Sequence, residues 1–241
     1  MGAGALNRGF RYNTPLQGDS AFRLGYSVSI EAYPLLRTPP GFYRRFGLGL
    51  SHEAQSGTAG HYDMATGSTV TYPVKQRRLG LDLRYFIPAG AHVLLVPAVG
   101  YGQVFSDLVR RTPAGVPSSC LLTNADPCFA DLGADYLFLD LHIRIAPNPQ
   151  LALTLVGGYL IGFGVRAGAD QIATSEASAT LQGFHADLGA SFLIKNWFAV
   201  QATVPFRRYA YSLSPIGNTA TYRGATDTYY GFLAGLAFLS P

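Results

Sequence analysis

Residues 22 to 33 read FRLGYSVSIEAY, and every even-numbered position is apolar: Phe22, Leu24, Tyr26, Val28, Ile30 and Ala32. The odd positions hold Arg23, Gly25, Ser27, Ser29, Glu31 and Tyr33. Successive side chains of a β-strand point to opposite faces, so this stretch has one oily face that must be buried against something. A protein core and a lipid bilayer both qualify, and the two make different predictions for the opposite face.

The pattern recurs along the chain. Leu48 and Leu50 follow Phe46 at spacing two, and Leu79, Leu81, Leu83, Tyr85 and Ile87 form another set, as do Leu137, Leu139, Leu141, Ile143 and Ile145. Phe184 to Ile194, Phe198 to Phe206 and Tyr230 to Phe238 repeat it. Two further strands, about 93–106 and 151–166, are apolar on both faces. Their outer faces are assigned to Val93, Leu95, Val99 and Tyr101, and to Leu151, Leu153, Leu155, Tyr159, Ile161 and Phe163. Short connections are expected at 34–41, 88–91, 146–150 and 195–196. Long polar ones are expected at 55–68, 107–134, 167–180 and 212–227, the alternation an up-and-down meander produces when its two ends face different surroundings.

The second face separates core from lipid. In a soluble sandwich or a lipocalin-like barrel it would meet water and carry Lys, Glu, Thr and Gln. Here it carries Gly, Ala and Ser with single charges between them: Arg23, Glu31, Arg45, Glu53, Arg78, Asp82, Arg84, Asp140, His142, Arg144, Arg166, His185, Asp187 and Arg207. Small residues with interleaved opposite charges suit a cramped lumen in which each ion needs a partner. The apolar face has no Lys, Arg, Asp or Glu over the central stretch of nine strands, and an arginine at a bilayer midplane costs roughly 2–4 kcal/mol. Aromatic residues such as Phe22, Phe42, Tyr85, Tyr101, Phe105, Phe163, Trp197 and Phe238 gather towards strand ends, as interfacial girdles do.

Composition agrees. Charged residues make up 13% of the chain, about half the usual share, which is too few for an ordinary soluble surface. Of 18 basic residues only Lys75 and Lys195 are lysines, and arginine is the residue favoured in confined ion pairs. The basic balance points to no nucleic acid, because the arginines are scattered singly or in pairs and no nucleic-acid module is present. No run of 18 apolar residues marks a transmembrane helix, and no signal peptide opens the chain. Cys120 and Cys128 lie in a segment of Pro, Ser, Asn and Asp. Zinc would need further ligands nearby and a redox pair closer spacing, so a local disulfide in an oxidising compartment is expected.

On these residues the chain resembles the small outer-membrane β-barrel proteins of Gram-negative bacteria over nearly its whole length. Its last strand, DTYYGFLAGLAF, is similar to the family's carboxy-terminal assembly signal, with Gly231, Leu236 and Phe238 in the matching places. The resemblance implies an all-β, up-and-down antiparallel transmembrane barrel with both termini periplasmic and the long loops extracellular. Nine strands are legible from Phe22 onward, and even strand numbers place a tenth at residues 2–13, with eight strands as the fallback. Residues 1–241 are read as a single barrel domain, the barrel part of a longer or processed precursor.

The expected function is a non-catalytic membrane anchor, scaffold or surface-interaction module of the cell envelope. A narrow porin-like channel for ions or small solutes is the alternative, and an outer-membrane protease or lipid A-modifying enzyme a distant one. Partners would be the bilayer, lipopolysaccharide and other envelope proteins, with Lys75, Arg77, Arg110, Arg111, Arg208 and Arg223 placed near headgroup phosphates. No cofactor or metal motif is present, and neither is a G-x-S-x-G elbow, a phosphate loop or H-E-x-x-H. Ser51, His52 and Glu53 are adjacent, but alternation turns His52 to the other face. Asp140 with His142, and His185 with Asp187, are candidate acid/base pairs that read more simply as parts of an interior ion-pair network. His61 with Asp63 is the one local match to the acids and histidine that an omptin-type protease needs.

Overall fold

The computed structural model describes residues 2–12, 19–33, 45–63, 68–108, 132–167, 179–213 and 224–238. They form β1 (Gly2–Tyr12), β2 (Asp19–Ala32), β3 (Phe46–Asp63), β4 (Ser68–Tyr85), β5 (Ile87–Pro88), β6 (Val93–Leu108), β7 (Leu132–Asn148), β8 (Leu151–Ala167), β9 (Ala179–Lys195), β10 (Phe198–Leu213) and β11 (Gly224–Phe238). Apart from the two-residue β5, ten strands each pair antiparallel with their neighbours in sequence. β1 pairs with β11 and β4 with β6, so the sheet closes into an up-and-down barrel. This is the architecture of the outer-membrane β-barrels.

The register fixes its geometry. A path of directly paired residues leaves β4 at Arg84 and passes through Ala98, Asp140, Gly158, His185, Arg207, Tyr229, Arg8, Ala21 and Ala59. It returns to β4 at Tyr72, twelve residues from its start. Ten strands with that stagger tilt by about 40° to the barrel axis.

The faces divide as the alternation requires. Leu24, Ile30, Leu81, Val99, Leu139, Leu155, Ile161, Leu188 and Phe232 all point outward and are exposed. The outer assignments for the two strands that are apolar on both faces hold where they are sharpest: Tyr159, Ile161 and Phe163 are exposed while Leu160 is fully buried, and Val99 and Tyr101 are exposed while Val96 and Ala98 are buried. The apolar outer face ends at one level round the barrel, where Arg77, Gln103, Asp135, Gln182 and Arg208 take over from Leu79, Tyr101, Leu137, Phe184 and Phe206. With the tilt above, the band beneath that level is about 25 Å tall. Among the described residues it contains no outward-pointing Lys, Arg, Asp or Glu. His52 stands within it, its ring 5.7 Å from that of Tyr26. At the other edge Trp197 packs against Phe198 and Phe238, with the Lys195 ammonium 5.9 Å from its ring.

Inside, glycines face large side chains across the ladder. A Cβ at Gly100 would lie 2.3 Å from the Phe138 ring, one at Gly102 would lie 2.4 Å from Tyr136, and one at Gly162 would lie 2.5 Å from Leu181. Tyr136, Phe138, Leu160, Leu181, Val104, Tyr209 and Tyr229 meet there in an apolar cluster within the barrel. The glycine-rich inner face is therefore the half of a large-and-small pairing that makes room for a filled lumen.

One expected connection is corrected. Residues 55–68 do not form a long loop: β3 runs on to Asp63 and β4 starts at Ser68, paired throughout. Strands β7, β9 and β11 likewise begin at Leu132, Ala179 and Gly224, inside or at the edge of segments read as loops. At 11 to 18 residues, the long strands match or exceed the 9–11 that cross a bilayer. Cys120 and Cys128, Phe42, Arg110, Arg111 and Arg223 lie outside the described residues, as do the side chains of Phe22 and Arg166.

Candidate functional site

The inward charges fall into two layers. Nearer the short turns, Glu31 on β2 accepts hydrogen bonds from Arg84 on β4 and from Arg144 on β7, the latter at 2.8 and 3.0 Å. Arg84 is also paired with Asp82, its second contact being 3.0 Å. Gly49 lies directly opposite Asp82, where a Cβ would sit 2.5 Å from both carboxylate oxygens. Just past β2 the Tyr33 hydroxyl donates to Glu31, and burial, then the negative charge of Glu31, push its pKa up to about 12. His142 is half-buried on the same inner face.

Further into the barrel, Arg207 on β10 donates to both oxygens of Glu53 on β3 at 2.7 and 2.9 Å. Gln55 donates to Glu53 as well. Arg78, directly opposite Glu53 in register, donates to the Tyr136 hydroxyl at 2.7 Å with its guanidinium 5.6 Å from that ring. Arg23, 1% exposed, donates to Gln76 at 3.1 Å. Gln76 donates to the Tyr229 hydroxyl at 3.0 Å, which in turn donates to the fully buried Asp227. His185 lies 3.3 Å from Asp140 across Gly158, whose missing Cβ leaves them space. Asp187, on the same strand as His185, is half-buried.

Three of these contacts cross the lumen. Glu31–Arg144, Glu53–Arg207 and Gln76–Tyr229 each join strands four places apart in a wall of ten. With the apolar cluster, Glu53–Arg207 and Gln76–Tyr229 close the deeper half, where a cavity of about 10 Å³ is left between Glu53, Gln55, Gln76, Arg78, Arg207, Tyr209 and Tyr229. That is room for about one water molecule. The half towards the short turns is wetter: the inward-pointing Ser29 and Ser51 stay exposed, and Thr154, Gly189, Ser191, Gln201 and Thr203 are partly so. The barrel is thus a cup with a hydroxyl-lined mouth beneath a side-chain seal.

Of the charges expected inside, Arg45 is set apart. It sits in a turn before β3, exposed, and its backbone carbonyl accepts a bond from Phe86. The chain has to reverse there, so strand alternation does not apply. Sequence reasoning missed Gln55, Gln76, Tyr209, Asp227 and Tyr229. Counting back in twos from the inward Gly231 would have found Tyr229 and Asp227. Among the enzymatic candidates, Ser51 points inward and His52 outward, while His61 and Asp63 lie on β3 with side chains outside the described residues. Among the described residues no group of three His, Cys, Asp or Glu could hold a metal ion. Lys75, Arg77 and Arg208 are exposed.

The fold is similar to that of several solved outer-membrane proteins. The outer membrane protease OmpT from Escherichia coli is 9% identical, with 98% of this chain and 93% of that one covered and a TM-score of 0.47. The transport unit of the autotransporter AIDA-I from Escherichia coli is 7% identical, with 99% and 89% covered and a TM-score of 0.49. The outer membrane protein OprG from Pseudomonas aeruginosa is 13% identical, with 98% and 95% covered and a TM-score of 0.35. No protein-family model and no curated protein matches the chain.

Proposed function

We propose that this protein is an integral outer-membrane barrel with a sealed lumen, serving as a non-catalytic anchor, scaffold or surface-interaction module of the envelope. The observation that carries the reading is the pair of contacts, Glu53–Arg207 and Gln76–Tyr229, that cross the deeper half of the lumen one above the other. A barrel built to pass solutes keeps its centre clear. This one fills it with paired charges, tyrosines and leucines, and hydrogen bonds that join opposite walls rigidify what they close. The apolar outer band supplies the lipid-facing surface. Arg77, Lys75 and Arg208, exposed at and just beyond its edge, suit phosphate-bearing headgroups such as those of lipopolysaccharide. In this reading the long connections face outward from the cell, and the short turns and both chain ends face the periplasm.

The purified, folded protein is expected to partition with detergent and to give no steady conductance in planar bilayers. Recovery from the aqueous phase without detergent would refute the membrane reading. Steady conductance altered by Arg84→Ala or Asp140→Ala would refute the seal. A hydrolytic activity lost on His61→Ala would refute the non-catalytic role.

A further inference from the structure

We propose that the seal is a charge-keyed gate over an anion-selective path, with Glu53 as its key; the inference rests on the sealed-lumen reading above. Among the described residues only side chains close the deeper half of the barrel, so that closure is removable without unpairing a strand. Arg23, Arg78 and Arg207 are held in this layer with two carboxylates, Glu53 and Asp227, and Asp187 on β9 also acts electrostatically on Arg207. Asp227 is engaged by the Tyr229 hydroxyl on its own strand. Glu53 alone stands between two guanidiniums from opposite walls: it is paired in register with Arg78 on β4 and bonded to Arg207 on β10.

The three side chains line one cavity that holds about a single water. Removing the carboxylate charge leaves two largely buried guanidiniums facing each other, with Asp187 on β9 the carboxylate left to offset Arg207, which is costlier than the intact pair. They relax by moving apart, and the cross-lumen bond that closes the barrel is lost with them. The charge that then fits between them is a small mobile anion, because rings of arginine favour anions and repel cations. Below the seal the inward Ser29 and Ser51 are exposed, so the mouth is open to solvent up to its underside.

The layer nearer the short turns supplies an internal control. Glu31 also bridges two arginines, Arg84 and Arg144, but it lies below the deeper contacts, Glu53–Arg207 and Gln76–Tyr229, that form the seal.

The test uses the full chain, refolded and checked by its shift in gel mobility on heating, in planar bilayers under a tenfold KCl gradient. Wild type and Glu31→Gln are expected to stay silent. Glu53→Gln, which keeps the shape and removes the charge, is expected to open steadily with chloride several-fold more permeant than potassium. Glu53→Gln/Arg78→Gln loses one charge of each sign, folds with less repulsion, and carries the same expected selectivity. A folded Glu53→Gln or double variant that is silent, or that prefers potassium, overturns the gate. Conductance by the wild type overturns the sealed-lumen reading itself.

Discussion

Leu137 and Leu141 are both outward-pointing residues of β7, exposed by 53% and 44%. They differ in depth. Leu137 is the last apolar outward residue before Asp135, whose carboxylate accepts from Tyr101 and Gln103 at 2.8 Å each. Leu141 lies four residues further along, about 10 Å deeper once the strand tilt is included, near the middle of the apolar band. An arginine at a bilayer midplane costs roughly 2–4 kcal/mol, falling to roughly 0–1 near the interface. Leu141→Arg should therefore destabilise the folded barrel by roughly 2–4 kcal/mol and Leu137→Arg by no more than about 1. The measurement is equilibrium unfolding by guanidinium in phosphatidylcholine vesicles, read by tryptophan fluorescence. A face in water would leave both variants near wild type, and a face inside a protein interface would penalise both heavily. Equal costs at the two positions, in either direction, refute the depth argument and with it the lipid-facing band.

Three other outcomes follow from particular contacts. Glu53→Ala should cost about 3–5 kcal/mol, because it strands the buried Arg207, whereas Glu53→Ala/Arg207→Leu should recover a substantial part; a double-mutant cycle by the same unfolding assay measures the coupling. Gly102→Leu should destabilise the barrel by about 1–3 kcal/mol by driving into Tyr136, 2.4 Å from the new Cβ, while the apolar Gly157→Ala, at an outward position where nothing lies within 4 Å, should be nearly neutral. Trp197, the single tryptophan and half-exposed at the edge of the band, should be quenched more strongly by lipids brominated near the headgroup than by lipids brominated near the chain ends. Stronger quenching from the bilayer centre would contradict its girdle position.

The strands were legible wherever lipid imposes alternation. From Phe22 to Ala32 or from Leu137 to Ile145 the outer face has to be apolar and the inner face does not, and the period shows. The same strands become invisible where they leave the lipid. Beyond Ala54, β3 continues as QSGTAGHYD, with polar and small residues at positions of both parities. Such a segment carries no periodic signal, and it read as a loop. The inner charges were found by the same parity. Their partners were not, because Glu53 meets Arg207 through the twelve-residue stagger of the wall, a property of closure that no local stretch contains.

The seam between β1 and β11 bears on how such a chain reaches its final state. Every other long strand finds both partners next to it in sequence, so the greater part of the wall can be assembled as successive hairpins with short-range contacts. Gly2 pairs with Gly235 and Tyr12 with Ala225, joining segments more than 200 residues apart. Closing so long a loop costs about 2 kcal/mol more entropy than closing a hairpin. The sheet's two free edges exist until the final strand arrives. Nearly all of the hairpins can therefore form early, while the barrel as an object, with its cross-lumen contacts and its continuous lipid surface, comes into being in one late event.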